Sequence, residues 1–129
     1  MNLAAAFATY LDTNTSFTTG QDLFIGQAPS SPDTLCWVTA SGGDTERKLK
    51  TGERMKSYLI EIRYRNRDYQ TVYNTLQTIE ELLNADDCIQ LTGYDTISIE
   101  ATTFPIDEDL DQEGRKVGLV AATISTYKT

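Results

Sequence analysis

The sequence predicts an α+β fold in which a mostly antiparallel sheet packs against an N-terminal helix and one central amphipathic helix. Three observations lead to this prediction. The 129 residues are 40% hydrophobic and 23% charged, the composition of one globular domain covering 1–129. Strand-like alternation and helix-like periodicity occupy separate segments. A helical segment also lies between strand-like segments that we expect to pair largely antiparallel.

Two segments have the apolar spacing of amphipathic helices. Residues 1 to about 12 place Leu3, Phe7 and Leu11 four positions apart, on one helix face. The central helix is expected to follow Asn66 or Asp68, since both residue types are good N-caps. Its predicted apolar face contains Tyr69, Val72, Tyr73, Leu76, Ile79, Leu82 and Leu83.

The clearest strand is residues 57–65, where Tyr58, Ile60, Ile62 and Tyr64 alternate with polar or exposed positions. A strand at 35–39 is expected to place Trp37 in the core. The composition of 12–32, rich in Thr, Ser, Gly, Asn and Pro, predicts a long connection without regular structure. Further strands are predicted at 88–91, 96–103 and 117–127.

The charged segment 44–56 shows no sustained period and is predicted to be a projecting loop or hairpin arm. It belongs to a wider basic region, because eight of the eleven Lys and Arg residues lie between 47 and 67, opposed there by two acids. The whole chain nevertheless has a net charge of −8. Oppositely charged faces on one subunit suit head-to-tail contacts. The candidate interface residues are Arg47, Lys48, Lys50, Arg54, Lys56, Arg63 and Arg65.

The acidic stretch 107–113 is predicted to be a solvated hairpin tip with Gly114 at its turn. Its alternate aspartates imitate the first ligands of a calcium loop. The sixth loop position, however, is Gln112 instead of glycine and the twelfth is Gly118 instead of glutamate. We therefore expect no bound metal. The acidic residues of this tip are Asp107, Glu108, Asp109, Asp111 and Glu113.

The sequence contains few of the residues and motifs that enzymes use for catalysis. There is no histidine, the commonest general base, and no phosphate-binding loop of the GxxxxGK[ST] type. Cys36 and Cys88 stand far apart in apolar runs and are expected to be free thiols. We expect no enzyme, no cofactor and no membrane span, and the start of the chain resembles no signal peptide, which predicts a cytosolic site of synthesis.

The basic region also fits a nucleic-acid-binding module, because phosphate neutralisation needs clustered Lys and Arg. The net charge of −8 and the isoelectric point near 4.4 count against this alternative. The nucleic-acid-binding alternative remains open beside the hypothesis that the charged faces make head-to-tail contacts between subunits.

The order of short motifs adds a resemblance. An N-terminal helix precedes the segment 23–29, then come Gly42 and Gly43, then the strand 60–65 leading into Asp68 and a helix. A proline after a strand, the acidic tip and a final strand complete the order. This order resembles the tail terminator and minor capsid proteins of long-tailed, siphovirus-type bacteriophages over nearly the whole chain.

The resemblance implies a structural virion protein of the head–tail junction, assembled in the host cytoplasm. Such a subunit forms a hexameric ring on the last ring of the tail tube, stops tube polymerisation and presents a surface to the head connector. DNA would only pass through the lumen. A head–tail joining protein of the same architecture is the alternative that the resemblance leaves open.

Overall fold

A computed structural model describes residues 2–48, 54–85, 91, 95–104 and 114–128. Two helices and five strands follow one another in the order α1, β1, β2, β3, α2, β4, β5. Their bounds are α1 Leu3–Asn14, β1 Leu23–Ile25, β2 Leu35–Lys48, β3 Arg54–Asn66, α2 Tyr69–Asn84, β4 Asp95–Thr103 and β5 Lys116–Lys128.

The five strands form one sheet in the spatial order β1-β2-β3-β5-β4. All neighbours pair antiparallel except β1, which runs parallel to β2. Both helices pack on the same face, where the core contains Ile60 and Ile62 of β3 together with Val120 and Ala122 of β5. The α+β prediction is confirmed, and so is the alternation of β3, because Leu59 and Glu61 point away from that core.

Helix α1 forms where the sequence predicts it. The Asn2 side chain accepts a hydrogen bond from the Ala5 backbone N–H at 2.8 Å, which caps the first turn. Leu3, Phe7 and Leu11 are all buried against β1 and β2. Each such side chain contributes about 1.5–3 kcal/mol by leaving water. The helix ends at Thr15, whose backbone is extended and whose N–H still bonds to the Leu11 carbonyl.

Helix α2 starts after Asp68, whose carboxylate accepts a hydrogen bond from the Thr71 N–H at 3.1 Å. Its buried side chains are those of Val72, Leu76, Ile79 and Leu83. The prediction for two tyrosines was wrong: Tyr69 is 48% and Tyr73 46% exposed. The four buried residues form the helix face that contacts the sheet. An apolar stripe that also includes both tyrosines is wider than this face, so the tyrosines remain partly in solvent.

Side chains of α2 also bind the outer edge of the sheet. The Asn84 amide donates to the Ala101 carbonyl at 3.0 Å and accepts from the Ala101 N–H at 2.9 Å. Glu80 accepts from the Thr103 N–H at 2.8 Å. The edge strand β4 thus has backbone groups paired within the chain, which removes a template for pairing with other strands.

Two further predictions need correction. Trp37 is half-buried on the sheet face away from the helices, because Cys36 and Val38 occupy the core-facing positions of β2. The connection 12–32 contains the short strand β1, which pairs with residues 36–38 of β2. A three-residue strand is too short for periodicity to reveal, and its parallel pairing exists only in the folded chain.

The predicted arm is partly a continuation of the sheet. Strand β2 extends to Lys48 and β3 begins at Arg54, so the hairpin interpretation of 44–56 agrees with the paired residues on both sides. Strand β5 runs beside this end of β3 as far as Lys128. The predicted strand 88–91 and Cys88 lie outside the described residues except for Leu91, which is buried.

Candidate assembly interface

The hairpin end of the sheet brings basic residues into register. Lys48 of β2 pairs directly with Arg54 of β3, and Arg54 pairs on its other side with Lys128 of β5. Like charges placed opposite each other on neighbouring strands are destabilising. We call these three residues the basic row. A row of three cations across three adjacent strands is an arrangement that an anionic partner would stabilise.

Other predicted interface residues lie around the basic row. Arg47 precedes Lys48 in β2, and Lys56 follows Arg54 by two positions in β3. Lys50 lies outside the described residues. Sequence reasoning missed Lys128, since nothing local connects a residue at the end of the chain with Arg54; only the pairing of β3 with β5 does so.

Arg63 lies on the open face of the sheet, the face opposite the helices. Its guanidinium forms an ion pair with Glu61 two positions earlier on the same strand. Trp37 of β2 is the residue directly opposite Arg63 in the sheet. Arg63 is therefore a half-buried cation on a mixed apolar and polar surface, well away from the basic row.

Arg65 has a different environment, since it is only 5% exposed. Its guanidinium donates to the carbonyls of Pro29 at 2.9 Å, Pro32 at 2.7 Å and Asp33 at 3.2 Å. Arg115, 6% exposed, donates to the Ser30 carbonyl at 2.6 Å. We call these two arginines and the 29–33 backbone the arginine clamp. Arg65 therefore binds the 29–33 loop of its own chain.

Asp33 completes the clamp on its exposed side. Its carboxylate accepts a hydrogen bond from Arg67 Nε at 2.8 Å and lies 3.6 Å from Arg115 Nη1. The hydrogen bond from Arg67 holds the pKa of Asp33 below its ordinary value. Sequence reasoning missed both Asp33 and Arg115, because their partners are 34 and 85 residues away.

The acidic tip 107–113 lies outside the described residues, and Phe104 and Gly114 are the described residues on either side of that gap. The Phe104 N–H bonds to the Leu119 carbonyl. Gly114 has φ +80°, a left-handed conformation that favours glycine. Both residues are at the clamp end of the sheet, since Lys116 pairs with Asn66. The basic row is at the other end, about 40 Å away along a 13-residue strand.

The remaining side-chain chemistry is limited. Burial raises the pKa of the Cys36 thiol, which is free. Within the described ranges no three His, Cys, Asp or Glu residues cluster as metal ligands would. No helix in the part of the chain that the structure describes is long and apolar enough to cross a membrane.

Comparisons with known proteins give the family. The family model described as bacteriophage tail terminator protein matches residues 10–128. No curated protein sequence matches the chain significantly. A solved structure described as the virion of a native gene transfer agent particle is similar with a TM-score of 0.59 and 10% identity, over 98% of each chain. A second solved structure, without a functional description, has a TM-score of 0.57 and 10% identity, over 95% of this chain and 91% of its own.

At 10% identity the two structures support the fold. The family match covers nearly the whole chain, including the last turn of α1, all of α2 and the sheet end that carries the basic row. The protein therefore belongs to the bacteriophage tail terminator family and is a structural component of a phage-type tail.

Proposed function

We propose that this chain forms a hexameric ring on the end of the phage tail tube, stops tube polymerisation and provides the surface to which the head joins. The observation that carries this proposal is the family match over residues 10–128. The role is structural and non-enzymatic, and its place is the head–tail junction of a virion assembled in the host cytoplasm. The partners are the tail tube protein, the head connector and further copies of this chain.

The charge geometry supports the ring. The basic row lies at one end of the sheet, whereas the whole chain has a net charge of −8, so an identical neighbour offers acidic surface to the row. Contacts between different surfaces of identical subunits close into rings when the rotation permits. Each copy has a net charge of −8, so the ring is acidic overall and favours passage of DNA without adhesion.

The test is capping of growing tubes. Purified tail tube protein is polymerised with and without the full chain, and tube lengths and tube ends are measured by electron microscopy. We expect shorter, capped tubes with the wild-type chain. Reversal of Arg47, Lys48 and Lys50 to Glu is expected to abolish capping, because it replaces three cations of the basic region 47–67 with anions. Glu100→Lys, a charge reversal on the exposed outer side of β4, is the control and is expected to cap normally.

Two results would contradict the proposal. Unchanged tube length, together with binding to purified head connectors, would identify the chain as a head–tail joining protein of the same architecture. Unchanged capping by the triple variant would exclude the hairpin end as a charged contact.

A nucleic-acid-binding function is the second candidate, because a row of three cations also suits phosphates. A gel shift with double-stranded DNA would test it. Strong binding that falls steeply with salt would favour this function over the ring, whereas negligible binding at physiological salt would exclude it.

A further inference from the structure

The segments that contain the two helices, which we call the helix layer, have acidic residues but no basic ones. Residues 2–34 and 68–85, which include both helices, contain no Lys or Arg but six acidic residues. The acidic residues are Asp12, Asp22, Asp33, Asp68, Glu80 and Glu81. Asp33 is paired with Arg67 and Arg115 of the clamp. The other five carboxylates belong to segments without Lys or Arg and attract positively charged groups within the screening length.

A groove opens in this layer between the end of α1 and the middle of α2. It has a volume of about 410 Å³. Its walls combine the apolar groups of Phe17, Ile79 and Leu82 with the hydroxyl-bearing side chains of Thr75 and Thr78. A long side chain with an apolar stem and a polar head matches such a lining.

The negative groups of the groove favour a cationic head. Asp22 lines it, with one carboxylate oxygen fixed by a 2.6 Å hydrogen bond from the Thr18 N–H. The C-terminal end of α1, at Asn14 and Thr15, also lines it and has no basic residue in its last turn. A helix C-terminus carries a partial negative charge that favours Lys or Arg nearby.

The chain's own basic row cannot occupy this groove. Tyr64, which lines the groove, lies ten residues along β3 from Arg54, about 33 Å at the rise of an extended strand. A basic side chain of the row can therefore reach such a groove only on a different copy.

We propose that the groove between α1 and α2 receives a Lys or Arg side chain from the basic row of a neighbouring copy. This inference rests on the proposed ring and identifies the two surfaces that meet in it. The contact places a cation of the basic row beside the Asp22 carboxylate and the C-terminal end of α1, both of which favour positive charge. Such a contact joins different surfaces of identical subunits, as a ring requires.

Charge exchange between two full-length variants tests the contact. Asp22→Lys places a cation in the groove, and the double variant Lys48→Asp/Arg54→Asp places anions in the row. Capping of tail tubes and the mass of the assembly are measured for each variant alone and for their equimolar mixture. We expect each variant alone to assemble at least about tenfold more weakly than wild type, because both create like-charge contacts.

The mixture is expected to assemble within about threefold of wild type, because alternating copies restore every opposite-charge contact in a ring of six. Asp22→Asn keeps the oxygen that accepts from Thr18 and is expected to weaken assembly by about fivefold. Glu100→Lys is the matched control: it should assemble like wild type and should not complement the row variant. Thermal unfolding of each variant confirms that it is folded.

Three outcomes would overturn the inference. The first is a mixture no better than its components, and the second is normal assembly of Asp22→Lys. The third is a row variant that loses DNA binding while Asp22→Lys assembles normally, which would make DNA the partner of the row. Failure of the wild-type chain to cap tubes would refute the proposed function itself, whereas wild-type capping without complementation refutes only this contact.

Discussion

The two ends of the sheet use basic residues in opposite ways. At the clamp end, Arg65 and Arg115 are nearly buried, and their guanidinium groups bind backbone carbonyls of the 29–33 loop. At the hairpin end, Lys48, Arg54 and Lys128 lie opposite one another on three strands. The first group is satisfied within the chain, whereas the second places like charges together.

This difference shows that a run of cations in sequence is not one functional unit. The basic region 47–67 is one cluster of cations in the sequence. In the fold, β3 runs from the hairpin end to the clamp end, so the cations of this region are distributed between both ends. Arg54 and Arg65 differ by eleven positions in sequence and by almost the full length of a strand in space. We therefore expect mutations at the clamp end to change stability and mutations at the hairpin end to change the proposed assembly.

The largest effect is expected at the clamp. Arg65→Met would leave the Pro29, Pro32 and Asp33 carbonyls without their donor and is expected to lower the free energy of unfolding by about 2–4 kcal/mol. Denaturant unfolding followed by circular dichroism measures it. Arg63→Met, which removes a half-buried ion pair between neighbouring side chains of the same strand, is the control and should cost less than about 1 kcal/mol. Equal losses for both variants would contradict the distinction between them.

A smaller effect of opposite sign is expected at the hairpin end. Arg54→Glu would replace two like-charge cross-strand pairs by two opposite-charge pairs and is expected to stabilise the isolated chain by about 0.5–1 kcal/mol. The same variant should cap tubes poorly. The gain should shrink as salt is added, because exposed charges are screened. A destabilised Arg54→Glu variant at low salt would show that the row is not a source of repulsion.

The smallest effect concerns pH at the clamp. The Arg67 hydrogen bond lowers the pKa of Asp33 in the folded state, so the folded chain binds fewer protons than the unfolded chain near the ordinary carboxyl pKa. The contribution of Asp33 to stability is therefore complete above the unfolded pKa and is lost as pH falls through the folded pKa. Asp33→Asn is expected to lose less stability than wild type between about pH 5 and pH 2.

Denaturant titrations of both proteins at each pH measure this difference. Asp12 and Asp68 also have lowered pKa values, caused by hydrogen bonds from Thr19 and Thr71, so the variant should retain part of the acid sensitivity. If the free energy of unfolding fell equally with pH for wild type and Asp33→Asn, the role of the Arg67 contact would be contradicted.

Local patterns predicted the elements whose signals extend over several turns or residues. The spacing of Leu3, Phe7 and Leu11 predicted α1, and the alternation around Ile60 and Ile62 predicted β3 and its buried face. Asn66 and Asp68 were the two predicted caps of α2, and Asp68 is the one that caps it. Each of these signals arises from a few neighbouring residues, which is why the sequence alone reveals them.

Other features depend on neighbours that are remote in sequence. The face on which Trp37 lies was set by which side of β2 met the helices, and the exposure of Tyr69 and Tyr73 by the width of the α2 contact. Strand β1 exists because residues 23–25 find β2 beside them. The candidate site depends on the same kind of information, because no local pattern connects Arg54 with Lys128 or Arg115 with Ser30.

The sequence by itself determined the α+β class, the positions of both helices, the concentration of cations in 47–67 and the absence of cations from the helix layer. Only the tertiary structure decided which cations meet and which are buried. The physical reason is that charge is a property of composition, whereas register, burial and the distance between two ends of a strand are properties of long-range pairing.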